Sequence, residues 1–268
     1  MPDRVSVVME NGVADVRLNR PDKLNALDQA MFEALVETGK ALSTDRALRA
    51  VVLSGEGRSF CAGLDFGSFM AMAGERDPSA PSLLMRSADS PANFAQRAAW
   101  VWTEIPVPVI AAVHGVAFGG GLQIALAADI RIASPDAQLS VMEIKWGLIP
   151  DMSGTQSLRR LVRLDVAKDL TFTGRVVSGT EAAVLGLVTR VADVPRAAAL
   201  TMAHAIAEKS PDAIRAGKQL LDQSVQLSVE EGLKLEERTQ VNLIGSANQL
   251  EAVQANMQKR PPSFRDPV

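Results

Sequence analysis

The sequence predicts an α/β fold followed by a helical C-terminal region. Short buried strands alternate with helices up to about Val191, and from Pro195 onward there is little strand signal. The 268 residues suffice for one large domain, or for one domain with a small appendage. We therefore expect a layered core over residues 1–195 and a helical region over residues 196–268.

Local signals define the first elements. Asn11-Gly12 lies between two alternating apolar runs, which indicates a β-hairpin. Asp28 is a candidate N-cap for the helix that follows. The apolar residues of that helix fall on one face: Phe32, Leu35, Val36, Gly39 and Leu42. LRAVVLSGEG then predicts a buried strand that ends in a glycine-rich turn.

The remaining segments follow the same pattern. VPVIAAVHGVAFGGG predicts one buried strand that runs into three glycines, with a helix from about Gly121 and another strand at DIRIAS. Residues 74–92 are polar and rich in Pro and Ser, which predicts a mobile surface loop. Three helices are predicted in the C-terminal region, and the last of them is long. Their apolar surface must be covered, so we expect an oligomer.

Composition argues against several classes of partner. The net charge is −3, and no run reaches the roughly 18 apolar residues that a membrane helix needs, so neither nucleic acid nor a membrane is expected. Cys61 is the single cysteine and the two histidines are far apart, so we expect no disulfide and no metal site. The N-terminus lacks the pattern of a signal peptide, and a cytoplasmic location is expected.

Two glycine-containing loops share one arrangement. GRSFCAGLDF follows one buried strand, and HGVAFGGGLQ follows another. If the two strand ends lie side by side, backbone N–H groups of both loops can converge on one point and form an oxyanion hole. The alternative is that the glycines only permit tight turns and close helix packing.

Five co-linear motifs resemble those of the crotonase (enoyl-CoA hydratase/isomerase) superfamily. They are LNRPDKLNAL (18–27), GRSFCAGLD (57–65), HGVAFGGGLQIALAADIRIAS (114–134), MEIKWGLIPDMSGTQSLRRLV (142–162) and TGRVVSGTEAAVLGLVTRV (173–191). The resemblance ends near KRPPSFRDP (259–267) and covers nearly the whole chain. It implies a crotonase-like (ClpP/crotonase) spiral of repeated ββα units with a helical C-terminal region. It also implies an acyl-CoA thioester substrate and self-association as a trimer or a dimer of trimers.

The resemblance also implies roles for particular residues. The oxyanion donors of the family fall on the N–H groups of Leu64 and Gly120. Hydratases of the family use two glutamates, and the matching positions here hold Gln123 and Glu143. An amide can orient water or substrate but cannot take a proton. The resemblance therefore favours double-bond isomerisation, with Glu143 as acid/base, over hydration.

Asp151 has two interpretations. Family dienoyl-CoA isomerases use a second acid eight residues after the glutamate, and Asp151 holds that position here. Those enzymes carry an aspartate where Gln123 stands, so the match is incomplete. Asp151 is therefore either a second proton carrier or the N-cap of the following helix. Gln123 itself either acts at the substrate or only forms a local hydrogen bond.

Other residues are candidate substrate contacts. We expect Arg58 and Arg265 near the CoA phosphates and Phe264 near the adenine. Cys61 is expected to pack rather than to act as a nucleophile. The candidates around the oxyanion donors are Cys61, Ala62, Gly63, Asp65 and Gly119. The candidates for the acyl pocket are Leu83, Leu84 and Met85, with Trp100, Trp102 and Trp146 expected in the core or the pocket wall.

The resemblance thus predicts an acyl-CoA enzyme of fatty-acid-type metabolism that shifts a double bond of an enoyl- or dienoyl-CoA. No separate cofactor is expected, because coenzyme A is part of the substrate. One alternative is a hydratase in which Glu143 alone activates water. Another is a paralogue that binds acyl-CoA or a protein without catalysis.

Overall fold

A computed structural model describes residues 3–67, 84–86 and 88–267. The strands are β1 Val5–Glu10, β2 Val13–Leu18, β3 Ala50–Gly55, β4 Val109–Val113, β5 Val116–Phe118, β6 Ile130–Ala133, β7 Gln138–Ser140, β8 Val177–Ser178 and β9 Arg190–Val191. The larger sheet has the order β1-β2-β3-β4-β6-β9, and the smaller sheet has the order β5-β7-β8. Within the larger sheet, β1 and β2 are antiparallel and the other pairs are parallel.

Helices surround the two sheets. They are α1 Gln29–Thr44, α2 Phe94–Glu104, α3 Gly120–Leu126, α4 Gly154–Leu161, α5 Leu164–Thr173, α6 Gly179–Leu185, α7 Pro195–Ala207, α8 Pro211–Ser224, α9 Val229–Leu243 and α10 Ala247–Gln258. Short 3-10 turns span Pro21–Lys23 and Met142–Trp146. None of the helices in the described part of the chain is long and apolar enough to cross a membrane.

The predicted hairpin and first helix are confirmed. Asn11 and Gly12 both have positive φ, 50° and 79°, as a type I′ turn requires. The Asp28 side chain caps α1 by accepting a hydrogen bond of 2.9 Å from the Met31 N–H. The predicted apolar face of α1 is buried, together with Met31.

The segment VPVIAAVHGVAFGGG is two strands, so the prediction of one strand was wrong. β4 lies in the larger sheet and β5 in the smaller one. Gly115 separates them with a φ of +59°, and a β-carbon there would collide with the Arg58 carbonyl oxygen. The chain can turn between the two sheets here because glycine tolerates both conditions.

The C-terminal region is helical, as predicted, but its last helix is broken in two. Gly245 has a φ of +78°, and the Ser246 side chain then caps α10 through the Gln249 N–H. A positive φ ends a helix and favours glycine, and serine is a preferred N-cap. The first helix of the region, α7, packs on the larger sheet and buries Ala199 and Ala203. The proposed boundary at residue 195 stays a prediction.

Candidate active site

The two glycine-containing loops lie side by side, as expected. They follow the adjacent parallel strands β3 and β4. The Cys61 N–H donates to the Val116 carbonyl at 3.0 Å, and the Phe118 N–H donates to the Cys61 carbonyl at 3.1 Å. These hydrogen bonds hold both loops together beyond the ends of the strands.

Where these loops meet, two backbone N–H groups have no partner among the described residues. A β-carbon on Gly63 would lie 2.5 Å from the Phe118 carbonyl oxygen and 3.6 Å from the Gly120 nitrogen, so only glycine permits this approach. Gly120 is the first residue of α3, where a helix leaves its N–H groups free. Within the described residues, neither the Leu64 N–H nor the Gly120 N–H has an acceptor. The junction of the loops therefore contains two backbone donors that have no acceptor in the described part of the chain.

Asn25 and Arg20 support the first loop, and sequence analysis gave neither a role. The Asn25 Nδ2 donates to the carbonyls of Ser59 at 2.8 Å and Phe60 at 3.2 Å. Arg20 forms an ion pair of 2.8 Å with Asp65, the residue after Leu64. The only sequence signal was their place in the motif LNRPDKLNAL. The groups that these two side chains bind are revealed only by the fold.

The smaller sheet brings Glu143 to the junction. β7 pairs with β5, and the Gly119 N–H donates to the Ser140 carbonyl at 3.0 Å. The chain then enters the 3-10 turn that carries Glu143. A β-carbon on Gly119 would lie 3.3 Å from Glu143 Oε1. Gly119 also has a φ of +50°, a conformation that favours glycine. Glycine therefore suits this position both because it tolerates that φ and because it has no β-carbon to press on Glu143.

Glu143 is a buried carboxyl with one unpaired oxygen. The residue is 8% exposed, and Oε2 has no hydrogen-bond partner among the residues that the structure describes. Burial raises the pKa of Glu143 above its ordinary value, and the nearby negative charge of Asp151 also raises it. A raised pKa and a free oxygen are properties of groups that exchange protons.

Gln123 is bound at both ends of its amide. Its Oε1 accepts hydrogen bonds from the N–H groups of Met152 at 2.8 Å and Gly154 at 2.9 Å. Its Nε2 donates to Glu143 Oε1 at 2.6 Å. The residue is only 3% exposed. Gln123 thus joins the start of α3, the turn of Glu143 and the start of α4.

Asp151 does not cap α4, so that interpretation was wrong. Ser153 holds the N-cap position, with a φ of +65° and no capping hydrogen bond from its side chain. Asp151 is exposed in the segment before it. The negative charge of Asp151 contributes to raising the pKa of Glu143, because a like charge opposes ionisation.

Cys61 packs inside the first loop, as expected. Its thiol is buried and donates to the Asn25 carbonyl, with 3.1 Å between Sγ and the oxygen. Burial raises the pKa of Cys61 to about 12, so the thiol is not activated as a nucleophile.

An aromatic pair flanks the site. Phe66, two residues after Leu64, stacks on Trp146, with 4.1 Å between the ring centroids and 28° between the planes. Trp146 lies on the same 3-10 turn as Glu143 and is half exposed, whereas Trp102 is fully buried in the core. The pair forms an apolar wall that sequence analysis anticipated only for Trp146. Leu84 and Met85 are exposed, and Leu83 lies outside the described residues.

The predicted CoA-binding residues lie in two different parts of the fold. Arg58 is exposed on the first loop. Phe264 and Arg265 lie elsewhere, because the Arg265 backbone pairs with the Asn248 side chain and Asp266 forms an ion pair with Arg49. Arg49 precedes β3, and the first loop follows it. The six residues of β3, roughly 17 Å long, therefore separate Arg49 from that loop. The assignment of Phe264 and Arg265 to CoA binding stays a prediction.

Comparison with solved structures defines the class of this protein as the crotonase fold. The crystal structure of an enoyl-CoA hydratase from Bacillus anthracis aligns with a TM-score of 0.88 and 32% identity, covering 98% of this chain and 100% of that chain. The prediction of a crotonase-like α/β fold with a helical C-terminal region is confirmed.

Sequence comparison gives the family. The family described as enoyl-CoA hydratase/isomerase matches residues 8–267. Human mitochondrial enoyl-CoA hydratase domain-containing protein 2 is 35% identical over 95% of this chain and 86% of that protein. Methylglutaconyl-CoA hydratase of Mus musculus mitochondria is 32% identical over 95% of this chain and 80% of that protein. The chain belongs to the enoyl-CoA hydratase/isomerase family and is an acyl-CoA enzyme of that family.

Proposed function

We propose that this enzyme shifts the double bond of a 3-enoyl-CoA, with Glu143 as the single acid/base. The observation that carries the proposal is the state of Gln123, since a neutral amide, hydrogen-bonded through both its oxygen and its nitrogen, stands where hydratases of the family have one of their two glutamates. One carboxylate can remove a proton at one carbon and return it at another. Hydration in the usual form of the family needs two.

The two unpaired N–H groups supply the other half of the mechanism. Removal of the proton from the carbon next to the thioester carbonyl places negative charge on the thioester oxygen. The Leu64 and Gly120 N–H groups would bind that oxygen. Gly120 is the first residue of α3, and the partial positive charge at the start of a helix also favours a negative oxygen there. The electron pair of the broken C–H bond moves into the enolate, and protonation at the other carbon restores the thioester. The proposed reaction needs no cofactor beyond the CoA of the substrate.

Substitution of Glu143 by Gln tests the assignment. The new amide can still accept the hydrogen bond from Gln123 through its oxygen, so the variant is expected to fold. It cannot carry the proton, and we expect kcat for the double-bond shift to fall by at least about 100-fold. The measurement is mass-spectrometric analysis of a panel of 3-enoyl-, 3,5-dienoyl- and 2-enoyl-CoA thioesters. Wild-type turnover by the variant would contradict the mechanism.

Hydration is the second candidate, and the names of the relatives favour it. Both the human and the mouse relatives are named for hydratases. In that reaction Glu143 alone would activate water for addition to a 2-enoyl-CoA. The same panel separates the candidates, because isomerisation conserves mass and hydration adds one water.

A further inference from the structure

The orientation of the Gln123 amide is fixed by the backbone. The N–H groups of Met152 and Gly154 can only donate, so the amide atom that faces them at 2.8 and 2.9 Å must be the oxygen. The NH2 group must then face Glu143, 2.6 Å from its Oε1. A flipped amide would set donor against donor on one side and acceptor against carboxylate on the other.

This orientation restricts where Glu143 can hold a proton. The Gln123 NH2 only donates, so Glu143 Oε1 must act as an acceptor whether the carboxyl is ionised or neutral. A proton on Glu143 must therefore reside on Oε2. That oxygen is buried and has no hydrogen-bond partner within the described residues, whereas Oε1 is the carboxyl oxygen nearer to Gly119.

We infer that Gln123 is a positioning residue that makes Oε2 of Glu143 the one oxygen that takes a proton from the substrate and returns it. The inference rests on the proposed role of Glu143 as the acid/base. In the first step a C–H bond breaks, its electron pair enters the enolate, and an O–H bond forms at Oε2. In the second step that O–H bond breaks and a C–H bond forms at another carbon.

The charge of the side chain at position 123 explains why an amide suits this role. A carboxylate in the same place would set two carboxylate oxygens about 2.6 Å apart. Two such groups cannot both ionise readily, so they would share one proton and titrate as a coupled pair. The neutral amide leaves Glu143 as the only group that titrates at this contact.

Among the described residues, charged groups lie on the turn of Glu143 and on the elements next to it. The charge of Asp151, in the segment before α4, raises the pKa of Glu143, and Lys145, on the turn of Glu143, lies 5.6 Å from the centroid of the Trp146 ring. α5 packs against that turn. The charged residues of α5 are Asp165, which pairs with Arg163, Asp169, which pairs with Arg175, and Lys168.

The test compares pH profiles of kcat and KM for wild type, Gln123→Met, Gln123→Glu and a control, Gln156→Met. Gln156 is exposed on α4, and its amide nitrogen donates to the Thr155 hydroxyl. The profiles are read on 3-enoyl-CoA, or on 2-enoyl-CoA if wild type proves to be a hydratase. Gln156→Met is expected to reproduce the wild-type profile.

Gln123→Met removes the hydrogen bond that stabilises ionised Glu143. We expect kcat to fall about 100-fold with a smaller change in KM, because the carboxylate is no longer held in place. We also expect the acid limb to move to higher pH, because loss of that donor raises the pKa of Glu143. A purely structural role would leave the limb unmoved, so a loss of kcat without this movement overturns the inference.

Gln123→Glu provides a test that does not depend on the Met variant folding. While the carboxyl at position 123 keeps the shared proton, it donates to Glu143 as the amide does, and activity is retained. Once that proton is lost at higher pH, activity falls, so the variant shows a bell-shaped profile where wild type shows a plateau. A wild-type profile in Gln123→Glu overturns the inference. If Glu143→Gln stays active, the proposed function fails instead.

Discussion

At the scale of single residues, Glu143 combines burial with one free oxygen. Burial opposes ionisation and raises its pKa, while the hydrogen bond from Gln123 favours the ionised form. A pKa closer to neutral suits a group that must first accept a proton and then release it. These opposing effects on one carboxyl are the physical basis for the proposed single-base mechanism.

Substitution of Asp151 by Asn tests the electrostatics. Glu143 is active as a base only when ionised, so kcat/KM should fall as pH drops through a pKa above the usual glutamate value of about 4.3. Removal of the like charge lowers that pKa, so the acid limb should move to lower pH. Asp165→Asn, at an exposed ion pair with Arg163, is the control. If the acid limb of the pH profile stays in place in Asp151→Asn, the electrostatic effect of Asp151 on Glu143 is contradicted. Selective loss of 3,5-dienoyl-CoA turnover in this variant would instead identify Asp151 as a second proton carrier.

Sequence could locate these residues but not all their contacts. Glu143 and Gln123 were found because they stand, in linear motifs that resemble those of the family, at the positions of the two glutamates. The hydrogen bonds of Gln123 reach 29 and 31 residues along the chain, and no local pattern encodes such partners. For the same reason the support of the first loop by Asn25 was missed.

At the scale of elements, the site lies where three short elements begin. α3, α4 and the 3-10 turn of Glu143 meet through the Gln123 amide. Close approach is possible because glycine stands at the contacts. A β-carbon on Gly154 would lie 2.5 Å from Gln123 Oε1 and 2.9 Å from its Cγ.

Gly154→Ala should therefore disturb the site by displacing the side chain of Gln123. We expect the free energy of unfolding to fall by about 1–3 kcal/mol, as for other overpacked sites, and kcat to fall with it. Gly217→Ala is the matched control. A β-carbon on Gly217, inside α8, meets nothing within 4 Å, so alanine should stabilise the protein by up to about 1 kcal/mol. Urea denaturation measures both, and equal stability of the two variants would contradict the packing argument.

Elements with complete local signals were predicted well, and elements broken by glycine were not. The turn at Asn11-Gly12 and the Asp28 cap each depend on neighbouring residues. Gly115 and Gly245 break a predicted strand and a predicted helix through positive φ. Glycine also tolerates negative φ, so the sequence alone does not say which glycines interrupt an element.

At the scale of the whole molecule, the C-terminal helices are anchored away from the site. Arg215 of α8 donates to the carbonyls of Asp45 and Leu48, and Lys218 pairs with Asp129, all near the amino ends of the parallel strands. α9 buries none of its residues. The exposed apolar residues of this region include Leu221, Val225, Leu227, Val229, Leu233, Val241, Ile244 and Met257. Such a surface is typical of an interface, and self-association stays a prediction.

Light scattering coupled to size-exclusion chromatography tests that prediction. We expect the wild type to elute as a trimer or a dimer of trimers. The double variant Leu233→Glu and Val241→Glu should shift the mass towards the monomer, because it places charges in the apolar surface of α9. Val184→Glu, at a residue 84% exposed on α6, is the control. A monomeric wild type would contradict the prediction.

The ratio of two rates tests the central claim most directly. Purified wild-type protein is given a 3-enoyl-CoA and a 2-enoyl-CoA of the same chain length in separate reactions, and the products are followed by mass spectrometry. A single base at Glu143 predicts that kcat/KM for conversion of the 3-enoyl-CoA to a product of equal mass exceeds kcat/KM for addition of water to the 2-enoyl-CoA. Faster addition of water would contradict the account and identify the enzyme as a hydratase.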